Sequence, residues 1–226
     1  MHTPLRLALL VLPLSLAPLA CDPAKVLEEA AKDSGITPDD DSARLLEFEE
    51  MLNKGAFTQL IKEMPAYLEK YENSYRGHNL LGWAYLKTDA YDDAMKHFEK
   101  SVEINPKWDN GYVGQGAVWR ARGDLDKASA SYHKAIDILP SNPEAYGSLV
   151  VIEIKRGDMK EAVKMGEKAW DLSDKTDPTL ASNLCIAYHY DGQEKKRDEM
   201  YGKAKALGYL NMATLDQIIA GELDVR

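Results

Sequence analysis

Five histidines and two cysteines are the side chains of this 226-residue chain that could serve as bases, nucleophiles or soft metal ligands. None of the histidines forms an HExxH pair, and none lies beside a cysteine at a metal-binding spacing. Cys21 and Cys185 are too far apart in sequence to supply a CxxC pair or a disulfide framework. These residues predict no metal site, no cofactor and no catalytic centre. The five histidines are His2, His78, His97, His133 and His189.

Two further patterns could carry chemistry, and both are better explained by packing. The segment from Asn110 to Gly116 reads NGYVGQG and lacks the Lys–Ser/Thr ending of a phosphate-binding loop. Its glycines are predicted to serve helix packing instead. No GxSxG nucleophile elbow occurs. Cys185 is predicted to be a buried packing thiol, because a reactive cysteine needs an exposed, electropositive setting. We therefore predict that the chain is not an enzyme.

Composition narrows the class of protein further. The formal net charge is −9, whereas a protein that binds duplex nucleic acid normally presents a basic face. No nucleic-acid partner is expected, and nothing indicates a small-molecule substrate. Residues with high helix propensity recur throughout, and clusters of Val, Ile and Thr are scarce, so an all-α fold is predicted.

The first twenty residues are typical of an export signal. Arg6 is followed by an uncharged, apolar run from Leu7 to Ala20, which Pro13 and Pro18 interrupt. That run is too short for a membrane span and has the form of a secretory signal peptide. Residues 1–20 are therefore predicted to be removed from the mature protein.

The residues around Cys21 resemble a bacterial lipobox, in which a cysteine after a small residue is acylated and becomes the mature N-terminus. Ala20 supplies the small residue, but Pro18 and Leu19 stand where the pattern has Leu and a second small residue. The resemblance implies an exported protein that a lipid on Cys21 anchors to a bacterial membrane, with its domain in the periplasm or on the cell surface. The alternative is ordinary cleavage, which leaves a soluble periplasmic or secreted protein.

Residues 21–41 are predicted to link this anchor to the folded domain. After Cys21 they read DPAKVLEEAAKDSGITPDDD, with Gly35, Pro38 and three consecutive aspartates near the end. This composition is typical of a flexible, acidic spacer. The aspartates lack the Gly and the terminal Glu of an EF-hand loop, so no calcium site is expected.

A period of 34 residues organises the rest of the chain. Ala94, Ala128 and Ala162 stand at this spacing, which is the first sign of an internal repeat. Four further columns of small residues or prolines share the period: Ser101, Ala135 and Ala169; Pro106 and Pro140; Gly82 and Gly116; Gly123 and Gly157.

The segment 75–108 carries Leu81, Gly82, Tyr85, Ala94 and Pro106, and it resembles the tetratricopeptide repeat (TPR), a helix–turn–helix unit. This resemblance implies a right-handed superhelical all-α solenoid of about five units over 42–211, with a short C-terminal capping helix in 212–226. The units lie near 41–74, 75–108, 109–142, 143–176 and 178–211. In the fourth unit Val150 replaces the glycine of Gly82 and Gly116.

The turns between the helices carry matching signals. Gly123-Asp124 and Gly157-Asp158 each predict a helix end followed by the cap of the next helix. Asn142-Pro143 and Asp177-Pro178 predict an N-cap followed by Pro in the first turn.

The TPR resemblance also implies where a partner would bind, because the first helices of such units line a concave groove. His189 is expected to face this groove, His78 to pack at the core or its rim, and His97 and His133 to lie on the surface of second helices. The Lys/Asn clamp by which some TPR proteins hold acidic tails is not reproduced, since Asn79 and Trp83 occupy two of its positions. The predicted groove residues are Arg76, Asn79, Trp83, Lys87, Asn110, Val113, Ala117, Arg120, Ser148, Val151, Lys155, Asn183, Ile186, His189 and Tyr190.

The expected function is that of a non-catalytic scaffold or adaptor. Its groove would bind an extended peptide or a helix of a partner protein, and its lipid would hold it at a membrane, in support of an envelope, pilus or secretion assembly. A soluble scaffold without the anchor is one alternative. An accessory subunit of an enzyme is another, and His189 is the residue that hints at it.

Overall fold

The computed structural model describes residues 42–226, and this part of the chain contains eleven α-helices and no strand. The prediction of an all-α fold is confirmed. The predicted leader 1–20 and the spacer 21–41, with Cys21, lie outside the described residues. The helices are α1 (Ser42–Asn53), α2 (Phe57–Lys70), α3 (Tyr75–Lys87), α4 (Tyr91–Ile104), α5 (Asp109–Ala121), α6 (Leu125–Ile138), α7 (Pro143–Arg156), α8 (Met159–Leu172), α9 (Pro178–Tyr190), α10 (Glu194–Ala206) and α11 (Met212–Ile219).

The helices form consecutive antiparallel pairs that stack into a solenoid. In the pairs α3–α4, α5–α6, α7–α8 and α9–α10, each helix packs more closely on its pair partner than on any other helix. The first helices of the pairs also contact one another in turn, from α1 to α3, α5, α7 and α9. The short helix α11 packs on α9 and closes the stack. This arrangement confirms the predicted solenoid and puts the first helices on one face.

The predicted capping residues bond as the sequence indicates. Asp124, Asp158 and Asn142 accept hydrogen bonds from the backbone N–H groups three residues on, each at 3.0 Å. Asp177 caps α9 by accepting from Leu180 N at 3.1 Å. Each bond satisfies one backbone donor that the helix start leaves open.

The turn between the two helices of each pair contains a residue with positive φ. This residue is a glycine in every pair except α3–α4. Gly157 ends α7 with φ 82°, a conformation that glycine adopts without a steric penalty. Asp89 takes the equivalent position after α3 with φ 59°, and its carboxylate accepts a hydrogen bond from the Tyr91 hydroxyl at 2.8 Å. Short polar side chains tolerate this region better than other residues do, so the turn is kept without glycine.

Aromatic rings of the second helices pack against glycines of the first helices, where the absence of a Cβ leaves room for the ring. A Cβ on Gly82 would lie 2.8 Å from the Phe98 ring, and one on Gly116 would lie 2.6 Å from the Tyr132 ring. In the fourth pair the sizes are exchanged: Val150 stands in the glycine column, and Gly166 stands in the column of Phe98 and Tyr132. Val150 is accepted because Gly166 leaves free the space that a ring fills in the earlier pairs, and the Leu184 side chain of α9 packs into the same space.

No helix among residues 42–226 is long and apolar enough to cross a membrane.

Candidate partner-binding groove

The first helices α3, α5, α7 and α9 enclose a concave cavity of about 730 Å³. Its walls combine the C-terminal turns of α3 and α5 with residues of α7 and α9, and Tyr132 of α6 also lines it. Seven of the predicted groove residues line it: Trp83, Lys87, Ala117, Arg120, Ser148, Val151 and Asn183.

The apolar part of the cavity wall is anchored in the core. The Trp83 indole meets the Phe98 ring edge-on, with 5.4 Å between the ring centroids, and its remaining surface faces the cavity. Val151 adds a half-buried aliphatic patch on α7. Rigid apolar surface of this kind suits the side chains of a bound peptide, because little rotamer entropy is lost on binding.

Asn183 is less available than the sequence suggests. Its side-chain amide donates a hydrogen bond to the Gly147 carbonyl at 3.3 Å, so it ties α9 to α7 within the cavity wall. A peptide would compete with this bond for the same donor.

The other predicted groove residues lie outside the cavity lining, and two of them are not on the surface. Val113 is 1 % exposed and packs in the apolar cluster around Tyr132 and Leu149. Asn79 is 6 % exposed. Both are buried and neither lines the cavity, so their prediction as surface contacts is corrected. The complete set outside the cavity is Arg76, Asn79, Asn110, Val113, Lys155, Ile186, His189 and Tyr190.

Two members of that set are engaged elsewhere. Arg76 pairs with Glu49 of α1 at 2.6 Å. The Tyr190 hydroxyl accepts a hydrogen bond from Val225 N at 3.1 Å and donates to Asp224 at 3.1 Å. The Arg226 guanidinium lies over the Tyr190 ring, 4.9 Å from its centroid. The last residues of the chain therefore cover the Tyr190 end of α9.

The cavity carries charges of both signs. Lys87 and Arg120 contribute the cations, and Glu144 and Asp177 contribute carboxylates that sequence reasoning missed. Partial removal of water from the Glu144 carboxyl group, and after it the negative charges of Asp177 and Asp109, raise the pKa of Glu144. The positive charge of Lys87 lowers it. Glu144 keeps much of its surface open to water, which screens these effects. The signal for Glu144 was its place directly after Pro143, in the first turn of α7.

The remaining histidines and the cysteine do not extend the groove. His97 was predicted on the surface, but it is half-buried, and its Nδ1 lies 3.0 Å from Nδ1 of His78. His133 is exposed, as predicted. Cys185 is fully buried as predicted, and burial raises the pKa of its thiol to about 12. Within residues 42–226, no three His, Cys, Asp or Glu side chains are placed to hold a metal ion together.

Tyr132 is the functional candidate that sequence reasoning did not single out. It lines the cavity, its side chain is fully buried, and its hydroxyl makes no hydrogen bond. Arg120 and Ser148 approach the hydroxyl and tend to lower the pKa of Tyr132, although burial dominates and raises it. Neither neighbour reaches normal hydrogen-bond geometry. The sequence does contain an indication of this role, because Tyr132 carries a hydroxyl at the repeat position where the preceding repeat has Phe98.

Comparison with known protein families identifies one repeat directly. The family profile of the tetratricopeptide repeat matches residues 75–107. Comparison with curated protein sequences gives no match.

Solved structures of the TPR fold resemble most of this chain. TTC0263, a TPR protein of Thermus thermophilus, aligns with a TM-score of 0.68 and 16 % identity over 80 % of this chain and 98 % of its own. Pseudomonas aeruginosa pilF aligns with a TM-score of 0.65 and 14 % identity over 86 % of this chain and 85 % of its own. YrrB, described as a TPR protein with an unusual peptide-binding site, gives a TM-score of 0.52 and 17 % identity over 90 % of this chain and 100 % of its own. At these identities the likeness shows the TPR fold.

Proposed function

We propose that this chain, which has the TPR fold, is a non-catalytic scaffold that binds a segment of another protein in the cavity between α3, α5, α7 and α9. The observation that carries the proposal is the cavity itself, which combines anchored apolar surface with charged side chains of both signs in a concave face. Such a surface suits an extended peptide, whose side chains alternate between apolar and charged contacts.

The TPR fold supports this class of function, since proteins of this fold are generally interaction scaffolds. Among the structural neighbours, YrrB is described as having a peptide-binding site. The argument for this chain rests on its own cavity, because fold alone does not determine function.

The membrane part of the proposal rests on the sequence before residue 42. Acylation of Cys21 would hold the protein at a bacterial membrane, and the acidic spacer would give the domain reach. Tethering raises the effective concentration of the groove for partners at that surface. A role in assembling an envelope, pilus or secretion complex would follow from this placement.

A crosslinking pull-down from native membranes tests the proposal. Ala121 is exposed and lines the cavity, whereas Ala130 on α6 is exposed and outside its lining. Ala121→Glu adds bulk and charge to the cavity, and Ala130→Glu makes the same change elsewhere. We expect the wild type and Ala130→Glu to capture the same protein, and Ala121→Glu to lose it. We expect Cys21→Ala to move the chain from the membrane to the soluble fraction.

Each arm has a clear contrary outcome. Equal capture by Ala121→Glu would show that the groove is not the working surface. If Cys21→Ala fractionates like the wild type, the lipid-anchor hypothesis is wrong and the soluble scaffold is the remaining alternative.

A further inference from the structure

The buried hydroxyl of Tyr132 has no hydrogen-bond partner of normal geometry in the fold, although Arg120 and Ser148 lie close to it. The residue is 0 % exposed and its Oη makes no hydrogen bond, although it lines the central cavity. A buried hydroxyl without a partner reduces the stability of the folded state, because it has lost its bonds to water. Natural proteins keep few such groups, and they concentrate at functional sites.

The preceding repeat shows that the packing does not require the hydroxyl. Phe98 stands 34 residues before Tyr132, and both rings lie against the glycine of their own first helix. The ring alone therefore fills the space between the helices.

Two further positions around the ring change from apolar to polar in the same step. Leu86 is followed one repeat later by Arg120, and Gly114 is followed by Ser148. The repeat before thus presents Leu86, Phe98 and Gly114 where the central repeat presents a guanidinium and two hydroxyls. We call Arg120, Tyr132 and Ser148 the polar triad. Its members lie on three different helices, α5, α6 and α7, so no local structure explains their joint occurrence.

The cations of the cavity form no close ion pair, although Lys87 lies near enough to Glu144 to act on its charge. Arg122 and Arg156, at the C-terminal ends of α5 and α7, pair with Asp92 and Asp126 of the preceding repeat. By contrast, Arg120 and Lys87 make no ion pair with any residue in the range 42–226. The polar triad therefore offers a charged donor and two hydroxyl donors at one place. A carboxylate accepts all three, whereas a neutral or cationic group would leave the guanidinium uncompensated.

We propose that the polar triad binds the carboxylate of an aspartate or glutamate side chain in the partner segment. The Arg120 guanidinium pairs with the carboxylate, and the Ser148 hydroxyl donates to one of its oxygens. The Tyr132 hydroxyl, which is buried in the free protein, donates to the carboxylate after the bound segment displaces the side chains that cover it. The proposal rests on the groove being the binding surface. Glu144 and Asp177 in the same cavity repel a second acidic residue and so favour one register of the peptide.

Tyr132→Phe tests this with the least disturbance, because the neighbouring repeat already packs a phenylalanine in this position. The probe is a library of random dodecapeptides displayed on phage and selected on the purified wild-type protein. Ala121→Glu reports whether a selected peptide uses the groove. Tyr112→Phe, which removes a half-buried tyrosine hydroxyl outside the cavity lining, is the matched control.

We expect groove-dependent peptides to share an Asp or Glu at one position and to bind Tyr132→Phe about tenfold more weakly or worse. Replacing that residue by Asn or Gln in the peptide should abolish the difference between the two proteins. Tyr132→Phe should be at least as stable as the wild type towards urea, and Tyr112→Phe should bind normally.

Three outcomes would overturn the inference. If peptides blocked by Ala121→Glu bind Tyr132→Phe as well as the wild type, or share no acidic residue, the groove stands and the carboxylate contact does not. If Tyr132→Phe is clearly less stable than the wild type, the hydroxyl has a structural partner and the premise is wrong. If the selected peptides bind Ala121→Glu as tightly as the wild type, they do not use the groove, and the proposed function fails together with the inference.

Discussion

The His78–His97 pair couples one hydrogen bond to pH. A neutral imidazole has one donor and one acceptor nitrogen, so across the 3.0 Å between the two Nδ1 atoms one ring donates to the other. Burial, and after it His78, lowers the pKa of His97 to about 4. The Tyr85 ring stacks on His97 with 5.5 Å between centroids and helps to exclude water. Protonating the accepting ring at its Nδ1 puts two N–H groups face to face and breaks the bond, whereas the donating ring takes up its second proton at Nε2.

Stability should therefore fall as the pH is lowered through the range from 6.5 to 4. The unfolded chain takes up a proton near pH 6.5, whereas folded His97 does so only near pH 4. In this window the unfolded state binds more protons, so acid favours unfolding, and below about pH 4 the effect is complete. Allowing for partial exposure, the loss is on the order of 1 to 2 kcal/mol. Urea titrations of the wild type and His97→Gln at pH 7 and pH 4.5 measure it.

The control for this prediction is His133→Gln, at an exposed histidine of α6. We expect His133→Gln to lose as much stability in acid as the wild type, and His97→Gln to lose less. An identical loss in all three proteins would place the pH dependence elsewhere.

At the scale of single residues, types and spacing predicted the caps and the burial of Cys185, because these depend on neighbours in sequence. The buried positions of Val113 and Asn79 depend on how far α5 and α3 rotate against their neighbours, which no local pattern records. The polar triad was hidden for another reason. Each of its members is ordinary within its own helix, and only a comparison between repeats shows that they change together.

At the scale of helices, the repeats are joined by rings, glycines and ion pairs. Phe98 of α4 lies between α3 and α5, where Cβ atoms on Gly82 and Gly114 would stand 2.8 Å and 2.2 Å from its ring. The packing role predicted for the glycines of the NGYVGQG segment is thereby confirmed. Arg122 pairs with Asp92, and Arg156 repeats the contact with Asp126 at 2.5 Å in the next step. Exposed pairs of this kind add little stability, so the rings dominate.

Gly114→Ala should destabilise the protein by about 2 kcal/mol, because the new methyl group overlaps a rigid aromatic ring that is fully buried. Gly202→Ala is the matched control, since Gly202 also lies inside a helix and a Cβ there meets nothing within 4 Å. That change should stabilise by roughly 0.5 to 1 kcal/mol through helix propensity. Chemical denaturation compares the two. A loss of similar size for both variants would contradict the role of Phe98 as a spacer.

At the scale of the whole molecule, each unit of a solenoid is stabilised by contacts with its immediate neighbours only. α11 covers the end of the stack by packing on α9, with Leu215 and Ile218 1 % and 3 % exposed. A defect in this cap should therefore open the last pair first and leave distant pairs protected.

Leu215→Ala should cost about 2 to 4 kcal/mol of local stability by leaving a cavity under α11. Hydrogen exchange should then accelerate in α9 and α10 while α3 to α6 keep their protection. Leu210→Ala, at a residue 96 % exposed, should leave the exchange pattern unchanged. Equal acceleration along residues 42–226 would show that the stack unfolds as one unit.

The period of 34 residues was sufficient to predict the solenoid, its helix pairs and the face that the first helices share. It could not predict the cavity, because the cavity arises where four first helices converge. Its charged rim joins residues as distant as Lys87 and Asp177. Properties that repeat with the period are visible in sequence, and properties that exist once in the superhelix are not.

The exchange of sizes at Val150 and Gly166 has a mechanical consequence. Between α3 and α7, flat rings that cannot change shape separate the first helices, and they act as hard spacers. At the next step Gly166 faces the Leu184 side chain, which would lie 2.8 Å from an added Cβ and can change rotamer. Between α7 and α9 the spacing of the first helices is therefore set by aliphatic side chains instead of a ring. We expect this joint to tolerate changes of side-chain volume better than the earlier joints, because an aliphatic side chain can repack where a ring cannot.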